Sequence, residues 1–292
     1  MVALPAADIR RAVRAGIEED LAQGDITTSA LFAGPVPARA CIIAQQNLVV
    51  AGMAAAVQTF LAVDPSLSLS LGKSDGVRAR TGDVLLTIEG DGRSILMAER
   101  IALNFLQHLS GIATLTDQFC RAVRGYSVSI MDTRKTLPGW RSIQKWAVAL
   151  GGGVNHRGSL GDGLLIKDNH LALLADKRTG VLTACRAVHS SASSRRPTIV
   201  EVESLQEVRQ ALEGKADIIL LDNMTPAKVK KAVNVIDGRA LVEVSGGITL
   251  NNIRAMAAAG PDRISIGRLT HSAPAATLSL VLEPKPQQKR RA

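Results

Sequence analysis

Four apolar runs in the second half of the chain decide the fold: TIVEVES at 198–204, DIILLDN at 217–223, LVEVSGG at 241–247 and RISIGRLT at 263–270. Each is short, rich in Val, Ile and Leu, and closed by polar or glycine residues, which is the signature of a strand buried on both faces. Their equivalent ends, Glu201, Asp222, Ser245 and Gly267, lie 21, 23 and 22 residues apart, the period of a compact strand and helix unit. The intervening segments carry helix starts. Ser204 and Glu207 form a capping-box pattern, Thr225 precedes Pro226 at a first helical position, and Thr249 precedes LNNIRAMAAA. Two earlier runs, SVSIMDTRK at 127–135 and GLLIKDNH at 163–170, have the same form. Strict alternation predicts a parallel sheet, either a (β/α) barrel or a doubly wound sheet. Six strands rather than eight would leave a barrel incomplete. In both architectures the chemistry gathers at the carboxyl ends of the strands.

Outward from this repeat, the first hundred residues read as a separate small α/β unit. It has a helical start, strand-like stretches at Ala38–Ile43 and Val84–Ile88, and turn signals at Gly72–Gly76 and Gly90–Gly92. Ile101, Phe105, Leu109, Ile112 and Leu115 recur at helical spacing, so a long helix over Ala98–Arg124 leads out of that unit. The expected domains are therefore 1–110, 111–272, and a return segment with a basic tail at 273–292. That tail, EPKPQQKRRA from Glu283, has almost no apolar residues and reads as disordered and solubilising. The run SSASSRRP at 190–197 reads as a surface loop.

Composition narrows the function. The 35 basic and 26 acidic residues leave a net charge of +9, which suits either nucleic acid or a small polyanion. One Tyr and two Trp supply a poor stacking platform for single strands, so nucleic acid is the weaker reading. The longest apolar run, Leu48–Val57, is too short to span a membrane, and the amino terminus lacks the form of a secretory signal. Cys41, Cys120 and Cys185 lie far apart and suggest a reducing, cytoplasmic setting without a disulfide framework or zinc site.

The strand ends carry a segregated chemical set. Asp132, Thr133, Arg134 and Lys135 come first, then Lys167, Asp168, Asn169 and His170, then Glu201, Asp222, Ser245, Gly246, Gly247 and Gly267. Arg134, Lys135, Arg157 and Lys167 together would repel one another without a counterion, and a multiply anionic ligand supplies one. The glycine turns after the last two strands suit a phosphate, because they lead unpaired backbone N–H groups into helix starts. Glu201 and Asp222 fit a hard divalent cation such as Mg²⁺, or equally a pair of carboxylates bridged by Lys167 or Lys135. His156 follows three glycines and is either a ligand donor or a loop histidine. His108 reads as structural, and Trp140 and Trp146 as packing residues.

These phrases resemble one family, quinolinate phosphoribosyltransferase, over nearly the whole chain. The resemblance is carried in order by EEDLAQGDITT at 18–28, AERIALNFLQHLSGIAT at 98–114, DTRKTLPGWR at 132–141, GGGVNHR at 151–157, LIKDNH at 165–170, EVES at 201–204, LLDNM at 220–224, EVSGGI at 243–248 and ISIGRLTHS at 264–272. It implies an amino-terminal α/β sandwich domain plus an incomplete (β/α) barrel, in a homodimer or higher homo-oligomer whose active sites are shared. It implies transfer of phosphoribosyl from phosphoribosyl pyrophosphate to quinolinate with decarboxylation, giving nicotinate mononucleotide on the route to NAD. Arg134, His156, Arg157 and Lys167 would then bind quinolinate, with Arg100 reaching in from the neighbouring subunit. Lys135 and Lys167 would face both ligands, Glu201 and Asp222 would hold ribose hydroxyls and Mg²⁺, and Ser245, Gly246, Gly267 and His271 would cradle the 5′-phosphate.

Some positions depart from the family's pattern. The run from Gly158 to Asp162 lacks the usual aromatic, Gln144 stands where glutamate is usual, Trp146 where tyrosine is usual, and Ile199 where an acid often sits. The alternative within the superfamily is a pyrophosphorylase-like relative associated with molybdenum transport, which tends to lack complete NHR and LIKDNH phrases.

Overall fold

The computed structural model describes residues 3–174, 180–190 and 196–284. The basic tail beyond residue 284 and residues 191–195 of the 190–197 run lie outside the described residues, whereas Glu283 and Pro284, expected in the disordered tail, end the last strand by pairing with Arg39 and Ala38. In chain order the elements are α1 (Ala6–Leu21), α2 (Ile26–Leu31), β1 (Pro37–Ala44), β2 (Leu48–Val49), α3 (Met53–Val63), β3 (Ser68–Leu71), β4 (Arg78–Ala79), β5 (Val84–Asp91) and α4 (Gly92–Ala122). They continue with β6 (Ser129–Met131), α5 (Arg141–Leu150), β7 (Leu164–Ile166), α6 (Asp168–Ala172), α7 (Gly180–His189), β8 (Thr198–Val202) and α8 (Leu205–Glu213). The chain closes with β9 (Ile218–Asp222), α9 (Pro226–Ile236), β10 (Leu241–Ser245), α10 (Ile253–Ala258), β11 (Arg263–Ser265), α11 (Arg268–His271) and β12 (Leu278–Pro284).

These elements form two compact units that are not contiguous in the chain. The first takes residues up to Asp117, Thr136–Gly152, and those from Thr270 on; the second takes Gln118–Lys135 and Gly153–Leu269. The first unit is built on an antiparallel sheet in the order β12, β1, β5, β3. Its strand β12 belongs to the return segment and pairs along the whole of β1, from Ala38 opposite Pro284 to Ala44 opposite Leu278. One face of β1 buries Ala38, Ala40, Ile42 and Ala44, which pack with Phe60, Leu86, Ile88 and Leu106 in a single core.

Close backbone approach fixes how that return segment and α5 meet α4. A Cβ on Gly111 would collide with the Pro274 carbonyl oxygen, and one on Gly151 with the Ala113 carbonyl and Thr116. Trp146 is buried, and Trp140 stacks on Phe105 with ring centroids 5.0 Å apart, so both tryptophans pack. His108 is structural as well. Its Nε2 lies 2.8 Å from the Gln144 amide nitrogen, and burial pushes its pKa down. Gln144 is fully buried and also accepts the Leu137 N–H at 2.9 Å, so the amide has three partners where a charged glutamate would face the Thr270 carbonyl.

The second unit is the six-stranded parallel sheet, ordered β6, β11, β10, β9, β8, β7. Its central strands are buried along nearly their whole length, as their apolar runs require. A single parallel bridge from Met131 to Val154 extends the sheet beyond β6, and no ladder joins β7 to β6 among the described residues. This is the incomplete barrel. Its helix starts follow the sequence at Ser204, whose hydroxyl accepts the Glu207 N–H at 3.2 Å, and at Thr225, which caps Lys228. At Thr249 the helix begins later than expected. Asn252 takes the Thr249 N–H on its side chain at 2.8 Å, so 249–252 form a turn and α10 starts at Ile253. Asp217 and Asp262, each just before a strand, accept an N–H at the start of the neighbouring strand, from Thr198 and Val242, at 2.7 Å.

Among the described residues no helix is long and apolar enough to cross a membrane. Two outcomes follow from the packing. Gly111→Ala, despite alanine's better helix propensity, should lower stability by roughly 2 kcal/mol in urea unfolding, because the added methyl overpacks against backbone. Cys185 is buried and its thiol is pushed up to about 11 by desolvation. Thiolate at pH 8 is therefore about a hundredfold scarcer than for a thiol of ordinary pKa, and alkylation followed by peptide mapping should spare Cys185 in the native protein and label it after unfolding.

Candidate active site

Register places the site. Leu165, Ile199 and Ile218 are register partners across β7, β8 and β9, and with Leu220 they form an apolar cluster inside the barrel. Because side chains alternate along a strand, the residues two further on face the same way. Lys167, Glu201, Asp222, Ser245 and Ser265 therefore line a cavity of about 360 Å³ above that floor, together with Arg134, Lys135, His156 and Arg157. The sequence brings these together from the ends of five different strands, from the loop after β6 and from the loop after α5.

Within the cavity the charges are held by specific partners. Lys167 Nζ donates to Glu201 Oε2 at 2.5 Å, so Lys167 pairs with one of the two carboxylates. The Lys167 N–H donates to His170 Nδ1 at 2.9 Å, which fixes the start of α6. Asp222 accepts from the Asn223 amide at 2.6 Å. Asn223 in turn sits with φ at 51°, and the Gly246 backbone comes so close to its side chain that no Cβ fits there. Gly246 and Gly247 have φ of 87° and 62°, so this turn needs glycine at both places.

Arg157 donates to the Gly163 carbonyl at 3.0 Å. Burial and the neighbouring Arg134 lower its guanidinium from the usual value, against the opposing pull of Asp162. The run Gly158–Asp162, which lacks the expected aromatic, is closed by Asp162. That carboxylate accepts the Gly158 and Ser159 N–H groups and the Ser159 hydroxyl, each at 2.8 Å. These bonds, the Ser159 hydroxyl foremost, pull the Asp162 pKa down.

Sequence reasoning missed two groups and undervalued a third. Glu243 is fully buried, accepts from the Ser265 hydroxyl, and lies 3.2 Å from His156 Nε2. Asp132, also fully buried, accepts the His156 N–H at 2.8 Å. The available signal was alternation: Glu243 and Ser265 each stand two residues before a glycine-turn residue already singled out, Ser245 and Gly267. Two expected ligands belong to the first unit. Arg100 is exposed on α4, and His271 is exposed at the end of α11, where its Nδ1 meets the Ser272 hydroxyl at 2.6 Å.

Among the described residues no group of three or more His, Cys, Asp or Glu side chains is arranged to hold a metal ion. Glu201 and Asp222 offer two carboxylates on neighbouring strands. That donor set suits Mg²⁺ completed by substrate oxygens, since this ion is commonly held by one or two carboxylates and keeps its remaining positions for water or phosphate.

Comparison with known proteins agrees with this geometry. Residues 25–110 match the model of the quinolinate phosphoribosyl transferase N-terminal domain, and residues 112–281 that of its C-terminal domain. A carboxylating nicotinate-nucleotide pyrophosphorylase from Mycobacterium leprae is 41% identical over 272 residues, covering 90% of this chain and 93% of the relative. A probable carboxylating nicotinate-nucleotide pyrophosphorylase from Bacillus subtilis is 37% identical over 262 residues, covering 90% and 89%. The solved nicotinate-nucleotide pyrophosphorylase of Francisella tularensis superposes with a TM-score of 0.88 at 36% identity, covering 96% of this chain and 98% of that one. The chain belongs to the quinolinate phosphoribosyltransferase family.

Proposed function

We propose that the cavity at the strand ends carries out the family's reaction: it joins the phosphoribosyl group of phosphoribosyl pyrophosphate to quinolinate with loss of carbon dioxide, giving nicotinate mononucleotide for NAD biosynthesis. The observation that carries this reading is the convergence of Arg134, Lys135, Arg157 and Lys167 on one cavity that also holds the strand-end carboxylates Glu201 and Asp222. Quinolinate is a dicarboxylate and its co-substrate a polyphosphate, so each supplies the counterion that the cations require. The named relatives favour this substrate over the molybdenum-associated alternative.

In this reading Arg134 and Arg157, with His156 beside them, meet the quinolinate carboxylates through planar donor forks. Lys135 and Lys167 lie between the two anions, where they offset the repulsion that otherwise keeps the reactants apart. The pyridine nitrogen attacks the anomeric carbon as the bond to pyrophosphate breaks, and the bonding pair leaves with pyrophosphate. Glu201 and Asp222 stabilise the positive character that develops on the ribose. The ring nitrogen, now cationic, stabilises the electron pair left on the adjacent carbon when its carboxylate departs as carbon dioxide, and that pair then takes up a proton. Ser245 and the glycine turns at Gly246 and Gly267, with His271, receive the 5′-phosphate. Glu201 and Asp222 would also hold Mg²⁺, which supplies charge compensation for the departing pyrophosphate. The chain acts as a cytoplasmic homodimer, with Arg100 of one subunit completing the quinolinate site of the other.

The test is a coupled assay with Mg²⁺, phosphoribosyl pyrophosphate and carboxyl-labelled quinolinate. Nicotinate mononucleotide and carbon dioxide should appear in equal amounts, and nicotinate should give no product; a folded protein that yields neither product from quinolinate would falsify the substrate assignment. Lys135→Ala should lose about a hundredfold or more in turnover while its circular dichroism and unfolding midpoint stay unchanged. Shared sites make a separate prediction. Arg100→Ala and Lys135→Ala, each inactive alone, should recover about a quarter of wild-type activity when co-refolded in equal amounts, because half the dimers are mixed and each has one intact site. No recovery would mean that Arg100 serves its own subunit or no site at all.

A further inference from the structure

Just past β9 the chain turns at a residue whose backbone favours glycine and whose side chain is not glycine. Asn223 has φ of 51°, and among the described residues it is one of three non-glycine residues in the left-handed region. The other two, Lys215 and Asp237, follow α8 and α9, where such a conformation simply ends a helix. Asn223 instead stands at a strand end, directly after the cavity residue Asp222. Its N–H donates to the Ser245 carbonyl at 3.0 Å, which carries the pairing of β9 with β10 one step beyond Asp222 and Ser245, the last register partners. Its side chain turns back, and Nδ2 donates to Asp222 Oδ2 at 2.6 Å.

Residue type decides what this side chain is for. Asparagine and aspartate tolerate the left-handed region better than other side chains, and glycine adopts it without steric cost. Any of the three would make the turn, so the turn alone does not explain the amide. Asp222 does. A carboxylate only accepts, so the group that meets it must donate, and of the three residues only asparagine has a side-chain donor. The same assignment leaves Oδ1 on the side of Gly246, where an added Cβ would collide with Oδ1 and with the Asn223 backbone nitrogen. Asn223 thus meets Asp222 with one end of its amide and closes on the Gly246 turn with the other, while its backbone is bonded to Ser245.

We infer that Asn223 is a positioning residue for the phosphoribosyl half of the reaction: its amide joins the Asp222 carboxylate and the Ser245–Gly246 turn into one unit, so that the ribose and its 5′-phosphate are received by groups in a fixed relation. An aspartate side chain left alone has two free torsions, and a preformed hydrogen bond avoids the cost of ordering them when the substrate arrives. With Oδ2 engaged, Asp222 offers its other oxygen to the ribose. Arg134, Lys135, Arg157 and Lys167 come from other segments of the chain, so quinolinate binding is outside the role of Asn223. The inference rests on the reading that Asp222, Ser245 and Gly246 receive the phosphoribosyl group.

Three variants test it. Asn223→Gly keeps the turn and removes the amide. Its unfolding midpoint should stay near the wild-type value, while the KM for phosphoribosyl pyrophosphate rises about tenfold and that for quinolinate moves less than about twofold. Asn223→Asp keeps both the size and the turn but sets a second carboxylate against Asp222, so its kcat/KM for phosphoribosyl pyrophosphate should fall about a hundredfold. The glycine variant therefore outperforms the aspartate variant, the reverse of what side-chain size alone would give. Should the aspartate variant not fold, the glycine variant decides alone. A glycine variant with the wild-type KM for phosphoribosyl pyrophosphate overturns the inference, as does one in which both KM values rise together, or an aspartate variant that outperforms it. Asp222→Asn is the control on the underlying reading. Unchanged phosphoribosyl pyrophosphate kinetics there overturn the placement of the ribose and the inference with it, whereas an impaired Asp222→Asn beside an unimpaired Asn223→Gly overturns only the role given to Asn223.

Discussion

Like charges gathered at one point are the constraint around which the barrel mouth is arranged. Two unit charges about 4 Å apart differ by roughly 4 kcal/mol between attraction and absence at a surface-like dielectric, so four cations around one cavity cannot be left to solvent alone. The structure meets this with anions drawn from neighbouring strands. Lys167 is tied to Glu201, and Arg157 lies near Asp162, whose remaining bonds close the Gly158–Asp162 loop. The same contacts hold the loops around the cavity in place.

The parallel sheet makes this arrangement possible, because it brings one residue from each strand end to a common rim. Alternation sends the residue two positions earlier onto the same face, and there the chain places apolar residues at 199, 218 and 220 but the charged Glu243 on β10. A buried carboxylate within a barrel is costly unless it is matched. Its match is His156, which arrives from the loop after α5 and not from a strand. The tight GGGVNHR phrase thus has a packing reason at Gly151, against α4, and an electrostatic one at His156.

Much of this was legible in the sequence. The barrel strands and the cationic cluster follow from periodicity and residue type, and the long helix was expected at 98–124 against an observed 92–122. What periodicity could not show was how the chain returns on itself. Strand β12 reads as an unremarkable apolar stretch, yet it completes the first sheet beside β1, and Thr136–Gly152 joins the first unit although strands on both sides of it belong to the second. The first is set by contacts more than two hundred residues apart and the second by contacts more than thirty apart, for which a local pattern has no term. The small residues at Gly111 and Gly151 are the trace they leave. Each is a place where two backbones must touch, and in sequence each looks like any glycine in or after a helix.

The site residues divide along the same line. Arg134, Lys135, Arg157 and Lys167 declare themselves because exposed-type residues at strand ends need a reason. Glu243 and Asp132 do not, because a buried acid is recognisable only once its partner is known, and the partner is a histidine more than twenty residues away in each case. The departures in the sequence show how such networks tolerate change. Gln144 satisfies a buried three-way junction without charge, and Asp162 closes a loop that lacks an aromatic anchor by giving its carboxylate to two backbone N–H groups and a hydroxyl. In both cases one polar side chain satisfies several partners at once, which holds in place the segments next to the cations at the rim.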